Sequence, residues 1–315
     1  MRMKIFYTVV LYACLFIACE KDNDDNELIK PPVEEPDKPI IPPPSTTNII
    51  KIRIGDLNMI VGSKQWNAVA YGNGKYVVVG DSGLTTTSTD GVTWNTPIIT
   101  KPTPLWVGVT YGNGRFVAVS QSGYITSSTN GTTWSTPQSI GNKGWYAVTY
   151  GNGKFVAVGA SGYITSSTDG VNWTTPQKVG TYAFQAVTYG NGKFVAVGLL
   201  GYTSSSTDGG TWSTPKIIDS ASLFAVTYGN GKFVTAGDDG HITSSIDGIT
   251  WSVPQVVGSK QWNAVAYGNG KYVVVGDSGL TTTSTDGVTW TEPEEIRNES
   301  GYIVWSNLYG VCAVH

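Results

Sequence analysis

An acidic tetrapeptide recurs along this chain. Ser-Thr-Asp-Gly or a close variant puts Asp90, Asp169, Asp208, Asp247 and Asp286 in one local setting, with Asn130 at that position in the second copy. Regularly spaced carboxylates are the first place to look for proton transfer or cation binding. An Asn in the series argues against proton transfer, because an amide carbonyl can cap backbone N–H groups but cannot act as an acid. Turn capping therefore fits all six positions. Hydrolysis by paired acids needs two carboxyls in one cleft. Asp238-Asp239-Gly240-His241, which holds the one histidine inside the repeats, is the best candidate for an acid–base or metal site. The competing reading is a solvated surface turn.

A second set of residues is aromatic. Trp66, Trp106, Trp145, Phe184, Leu223 and Trp262 share one register, just ahead of an apolar segment. Two roles suit them. A ring of indoles around a central funnel would stack on sugars or anchor a protein partner. The same side chains would also fill gaps between wedge-shaped sheets. Tyr124, Tyr163 and Tyr202 follow a short turn whose sequence differs from copy to copy. The Gly-rich YGNG segments lack the Lys-Ser/Thr and the following helix of a phosphate loop, so they read as hairpin turns.

The Ser-Thr-Asp-Gly-Val-Thr-Trp segment at Ser88–Trp94 and its copies resemble the Asp-box of sialidase-like propellers, with the residue between Asp and Gly absent. The resemblance implies a structural hairpin on the outer strand pair, remote from any active site. A sialidase of that family would need an arginine cluster and a tyrosine–glutamate nucleophile pair. Beyond the first residues the arginines are Arg53, Arg115 and Arg297, at unrelated repeat positions, and the glutamates fall at 292–299. The inventory favours a non-catalytic module with no cofactor or metal; a divergent sialidase-like glycoside hydrolase is the alternative.

The elements that must carry these residues follow from a period. The Tyr of YGNG falls at 71, 111, 150, 189, 228 and 267, at spacings of 39 or 40 residues. That period, in a chain with 39 glycines and 11 tryptophans among its 315 residues, points to an all-β propeller with one four-stranded blade per repeat. The third repeat shows the strands. WYAVTY at Trp145–Tyr150 is inner, KFVAVG at Lys154–Gly159 is apolar throughout as a doubly buried strand requires, YITSST follows, and a polar outer strand at Val171–Thr175 runs into Pro176. Repeats are assigned to residues 62–100, 101–140, 141–179, 180–218, 219–257 and 258–296, with a partial copy at 297–315. Seven blades are favoured over six. The last would be shared between Tyr302–His315 and Asn48–Ile54, which would remove the exposed sheet edges. Val61–Trp94 and Val257–Trp290 are identical over 34 residues.

Topology puts the YGNG and Asp turns on one face of the ring and the remaining connections on the other. The first face is nearly uniform. On the second, the inner turns read GDSGL, SQSGY, GASGY, GLLGY, GDDGH and GDSGL, and the loops between blades also differ. Loops varied on a rigid frame are the usual place for recognition. The binding residues expected there are Trp66, Trp106, Trp145, Trp262, Tyr124, Tyr163, Tyr202, Asp238, Asp239 and His241, for a glycan or a protein ligand.

The first 47 residues give an address. Arg2 and Lys4 precede the apolar run Ile5–Ala18, and Phe16-Ile17-Ala18-Cys19 resembles a bacterial lipobox. The resemblance implies removal of residues 1–18 and lipidation of Cys19. The acidic EKDNDDNE that follows resembles the export tag of surface lipoproteins of Bacteroidota, which implies an outer-membrane, surface-exposed protein held by its lipid alone. Residues 19–47 are acidic and proline-rich, as expected of a semi-stiff tether. From Asn48 onward there are 15 acidic and 15 basic residues, a balance that offers nucleic acid no electrostatic footprint. Cys312 is the one cysteine of that domain, so no intrachain disulfide supports it.

Overall fold

The computed structural model describes residues 12–16, 66–91, 93–100, 105–295 and 307–312. Within them the chain forms six four-stranded antiparallel sheets, each built from strands consecutive in sequence. The expected tether, Cys19, residues 48–54 and most of the final partial repeat lie outside the described residues.

Blade three shows how the sequence produces the unit. Trp145–Gly151 pairs with Lys154–Gly159 through a two-residue turn in which Asn152 (φ 44°) and Gly153 (φ 74°) both take the left-handed conformation. That turn matches the twist of the strands it joins. The second strand is the core: Phe155, Val156, Ala157 and Val158 are fully buried. Removing each large apolar side chain of this kind from water is worth roughly 1.5–3 kcal/mol. The third strand, Tyr163–Ser167, is polar yet buried after its first residue. Its hydroxyls are satisfied by the chain that follows, as where Thr165 Oγ1 donates to the Thr174 carbonyl at 2.7 Å. Equivalent bonds join Thr126 to Ser135, Ser204 to Ser213, Thr243 to Ser252 and Thr282 to Thr291. The outer strand expected at residues 171–175 is corrected: that segment continues the Asp turn, and the fourth strand is only Gln177–Lys178, beyond Pro176 and exposed at the rim.

The six inner strands stand side by side, and five apolar clusters each join two neighbouring blades. Val117, Val119 and Ile125 of blade two pack with Trp145, Val148 and Phe155 of blade three. Two further devices lock neighbours on the uniform face. A Cβ on Gly151 would run into the ring of Tyr189 in the next blade, and the same holds for Gly112 against Tyr150 and Gly190 against Tyr228. The YGNG asparagine also reaches the next blade's Asp turn: Asn152 Nδ2 donates to the Thr207 carbonyl at 3.2 Å, and Asn191 to that of Ile246 at 3.3 Å.

A complete seventh blade is not present among the described residues, so the favoured count gives way to six. Between blades six and one lies a two-stranded parallel sheet of Tyr12–Phe16 and Asn307–Cys312. The second of these strands runs against the inner strands Trp262–Gly268 and Trp66–Gly72, where a seventh inner strand would stand. The physical reason is the copy number. The KFVAVG-type second strand that makes a blade's core occurs six times and has no counterpart after Glu295.

Candidate functional site

The Asp turns are built as caps. Asp169 Oδ1 accepts the N–H groups of Val171 at 2.8 Å and Asn172 at 2.7 Å, while Ser167 Oγ accepts the Gly170 N–H at 2.9 Å. Asn130 reproduces the arrangement with Thr132 and Thr133 at 2.9 and 2.8 Å. Backbone N–H donation holds Asp208, Asp247 and Asp286 down at about 2 and pushes Asp169 down as well. Carboxylates held this way stay ionised and occupied, which suits a strut and not a proton donor.

The aromatic register is buried. Trp106, Trp145 and Trp262 are 0% exposed and Trp66 is 4% exposed, as are Phe184 and Leu223 at 0% in the same register. Their donors turn inward: Trp106 Nε1 bonds Thr100 Oγ1 at 2.9 Å, Trp145 Nε1 the Ile140 carbonyl at 3.1 Å, and Trp262 Nε1 the Val257 carbonyl at 3.0 Å. The expectation that these four tryptophans present a stacking ring to a ligand is corrected. The first residue of each inner strand faces the wedge between two blades, and a bulky apolar side chain, tryptophan, phenylalanine or leucine, fills it.

The variable face retains the tyrosines at half exposure. Lys143 Nζ stands 5.3 Å from the centre of the Tyr163 ring. Tyr202 packs edge-on against Tyr182 at 5.2 Å and leans on Phe184 at 5.8 Å. Tyr124 opens the third strand of blade two in the equivalent place.

Asp238, Asp239 and His241 are brought to this face on blade five. Asp238–Gly240 forms a single tight turn with Asp239 at φ 53°, and the Asp238 N–H donates to the Ser222 carbonyl at 2.9 Å. His241 Nδ1 lies 2.8 Å from Oδ1 of Asp219, a pairing that places the ring proton on Nδ1. Asp219 is the residue that sequence reasoning missed. Its side chain is 2% exposed, its Oδ1 also accepts the Ala221 N–H at 3.1 Å, and its Oδ2 has no hydrogen-bond partner among the described residues. A signal was available: the other loops between blades carry Lys101, Gly141, Gly180 or Gly258 at that register. Among the described residues no three His, Cys, Asp or Glu side chains are grouped to hold a metal ion.

The acidic inner turns are unevenly distributed. Asp238 and Asp239 on blade five, Asp277 on blade six and Asp81 on blade one carry charge, whereas the corresponding turns of blades two to four have none. Asn263 Nδ2 holds Asp277 at 2.9 Å, and Asn67 Nδ2 holds Asp81 at 3.0 Å. Burial pushes the Asp238 carboxyl up, Asp239 and Asp277 add repulsion, and bonds from Ser222 oppose the shift. Beside this acidic sector, Leu200 of blade four is 46% exposed and sits at φ 55°, a left-handed conformation unusual for leucine.

No family model matches the chain, and no curated protein matches it. Solved structures do. YCF48 bound to a D1 peptide superposes with a TM-score of 0.57 at 19% identity, covering 72% of this chain and 80% of that one. YCF48 from Cyanidioschyzon merolae gives 0.59 at 16% identity, covering 78% and 88%. The WD40 β-propeller domain of Doa1 gives 0.61 at 10% identity, covering 74% and 83%. At these identities the likeness lies in the fold, and the chain is a β-propeller repeat protein.

Proposed function

We propose that this protein is a non-catalytic, protein-binding module that recognises its partner with the variable face of the propeller. The observation that carries the reading is the division between faces. One is committed to blade-to-blade locks repeated with nearly the same residues, and the other holds the turns and loops that differ most between copies. A propeller of the same fold, YCF48, binds a D1 peptide, which supports a protein ligand for this one. Burial of Trp66, Trp106, Trp145 and Trp262 takes away the stacking platform that a glycan reading rested on. The sialidase-like alternative has no support in the Asp turns, whose carboxylates are engaged by backbone N–H groups. We read those turns as Asp-box hairpins one residue shorter than the pattern they resemble.

The rest of the proposal concerns placement. Cys19 is the lipid attachment point of an outer-membrane, surface-exposed protein, and residues 19–47 hold the propeller away from the bilayer. Release of residues 1–18 would free the edge that Tyr12–Phe16 now occupies, and residues 48–54 are the segment suited to complete a seventh blade there. A photoreactive phenylalanine at Tyr182, on the variable face, tests the binding reading against one at Thr168, on the uniform face. Discrete protein adducts from Tyr182 alone are expected; equal labelling from Thr168 would refute the assignment. Cys19→Ala should move the protein out of the membrane fraction, and continued retention would sink the anchor.

A further inference from the structure

The binding face has a chemistry that narrows its partner, and the argument rests on the reading of that face as a protein-binding surface. Leu200 on blade four and Asp238 on blade five meet at one residue: the Leu200 N–H donates to Ser222 Oγ at 3.3 Å, and the Asp238 N–H to the Ser222 carbonyl. The apolar spot and the acidic turn are therefore one continuous patch. Tyr182, 40% exposed and packed on Tyr202, extends its apolar side. In the residue register of Leu200 the other described inner turns carry Ser82, Ser122, Ser161, Asp239 and Ser278, so a large exposed apolar side chain there is peculiar to blade four.

Among the described residues neither Asp238 nor Asp239 forms a salt bridge with a lysine or arginine, whereas Asp219 is paired with His241. Asp219 adds a second, separate observation. It is wedged between the Leu199–Gly201 turn, where a Cβ on Gly201 would strike its backbone, and His241, and it keeps one buried carboxylate oxygen without a partner. The turn at Asp238 and Asp239 thus adds negative charge beside the exposed Leu200 and Tyr182, with Asp219 buried beneath it. Such a field repels phosphates, which removes nucleic acid and anionic lipid headgroups from consideration.

We infer that Leu200 and Tyr182 together with Asp238 and Asp239 dock a short extended peptide segment that carries a lysine or arginine beside an apolar side chain. The cation sits over the Asp238–Gly240 turn and the apolar residue covers Leu200. Burial and the negative charge of Asp239 and Asp277 already hold the Asp238 carboxyl above its ordinary range, and an incoming cation relieves that repulsion.

Three fluorescein-labelled decapeptides test the inference against the full chain in detergent, read by fluorescence polarisation. One alternates lysine and leucine, one has glutamate for lysine, and one has glycine for leucine. The lysine–leucine peptide should bind saturably and weaken as salt rises from about 50 to 300 mM. The pair Asp238→Asn and Asp239→Asn should cost at least about tenfold in Kd, which corresponds to the loss of one good charge-assisted contact. Leu200→Asn should cost roughly threefold while raising the thermal midpoint, because asparagine accepts the left-handed backbone. The paired Asn variant should also keep its midpoint, so lost binding is not lost folding. Binding of the glutamate peptide, equal binding of the glycine peptide, or full binding by the Asn pair would overturn the inference. So would a failure of all three peptides to bind. In each of these cases, protein adducts from Tyr182 would still leave the face itself as the binding surface, and their absence would remove both readings together.

Discussion

Leu200 separates stability from recognition at a single position. Its φ of 55° disfavours a branched side chain, and its side chain is half exposed, so little packing offsets the cost. Leu200→Asn is expected to stabilise the fold by about 0.5–1 kcal/mol, measured by denaturant titration. The Asp turns behave differently, since their bonds stabilise the ionised form. Asp208, Asp247 and Asp286 lie at about 2 in the folded protein, below the roughly 3.9 of an unfolded aspartate. Groups depressed in this way contribute stability above the unfolded value and lose it as pH falls through the folded one. The thermal midpoint should therefore drop between about pH 4 and pH 2, and Asn at all three positions should flatten that drop. The capping role was legible in the sequence because Asn130 replaced Asp without altering the motif. The Asp219–His241 pair was not. The two residues lie 22 apart on different loops, and nothing in either stretch alone points to the other.

Two glycines of one hairpin do different work. Gly151 has no positive φ, but its missing Cβ makes room for the Tyr189 ring of the next blade. Gly153 has open space around it and is required for its φ of 74°. Gly151→Ala should cost about 1–3 kcal/mol through overpacking at a blade junction. Gly153→Ala should cost about 1–2 kcal/mol through backbone strain alone. A double substitution of Gly151→Ala with Tyr189→Ala, compared with the singles, checks the assignment: the first cost should largely disappear, and the second should not respond to Tyr189→Ala. Strand order, turn types and the buried second strand followed directly from the repeat unit, because hairpin chemistry and apolar runs are local. The side on which Trp145 lies did not follow. An aromatic at the start of an inner strand has the same sequence signature whether it fills the wedge or faces the funnel, and only the neighbouring blade decides.

The whole ring is held by one junction repeated five times and by a different one between blades six and one. All five share an apolar cluster and a Tyr-on-Gly contact, and four add an Asn-to-carbonyl bond. The remaining gap is spanned by the strand Asn307–Cys312, which touches both sides. Removing residues 296–315 should lower the thermal midpoint and produce concentration-dependent oligomers in sedimentation, as uncovered inner strands pair between molecules. An unchanged monomer would show that the six blades hold by themselves. The sequence period dictated the blade architecture, but the number of blades depended on how the chain ends meet. The partial repeat signal at 297–315 suggested a shared seventh blade, whereas the described residues form six complete sheets.

That junction also sets a clock. Each internal contact joins segments about 40 residues apart, whereas the last one brings Asn307 back to Trp66, about 240 residues away. The longer excursion adds roughly 1.6 kcal/mol of closure entropy. Blades should therefore condense one onto the next as a growing arc, and the arc should become a ring in a final, slower event that has no counterpart along the rest of the chain.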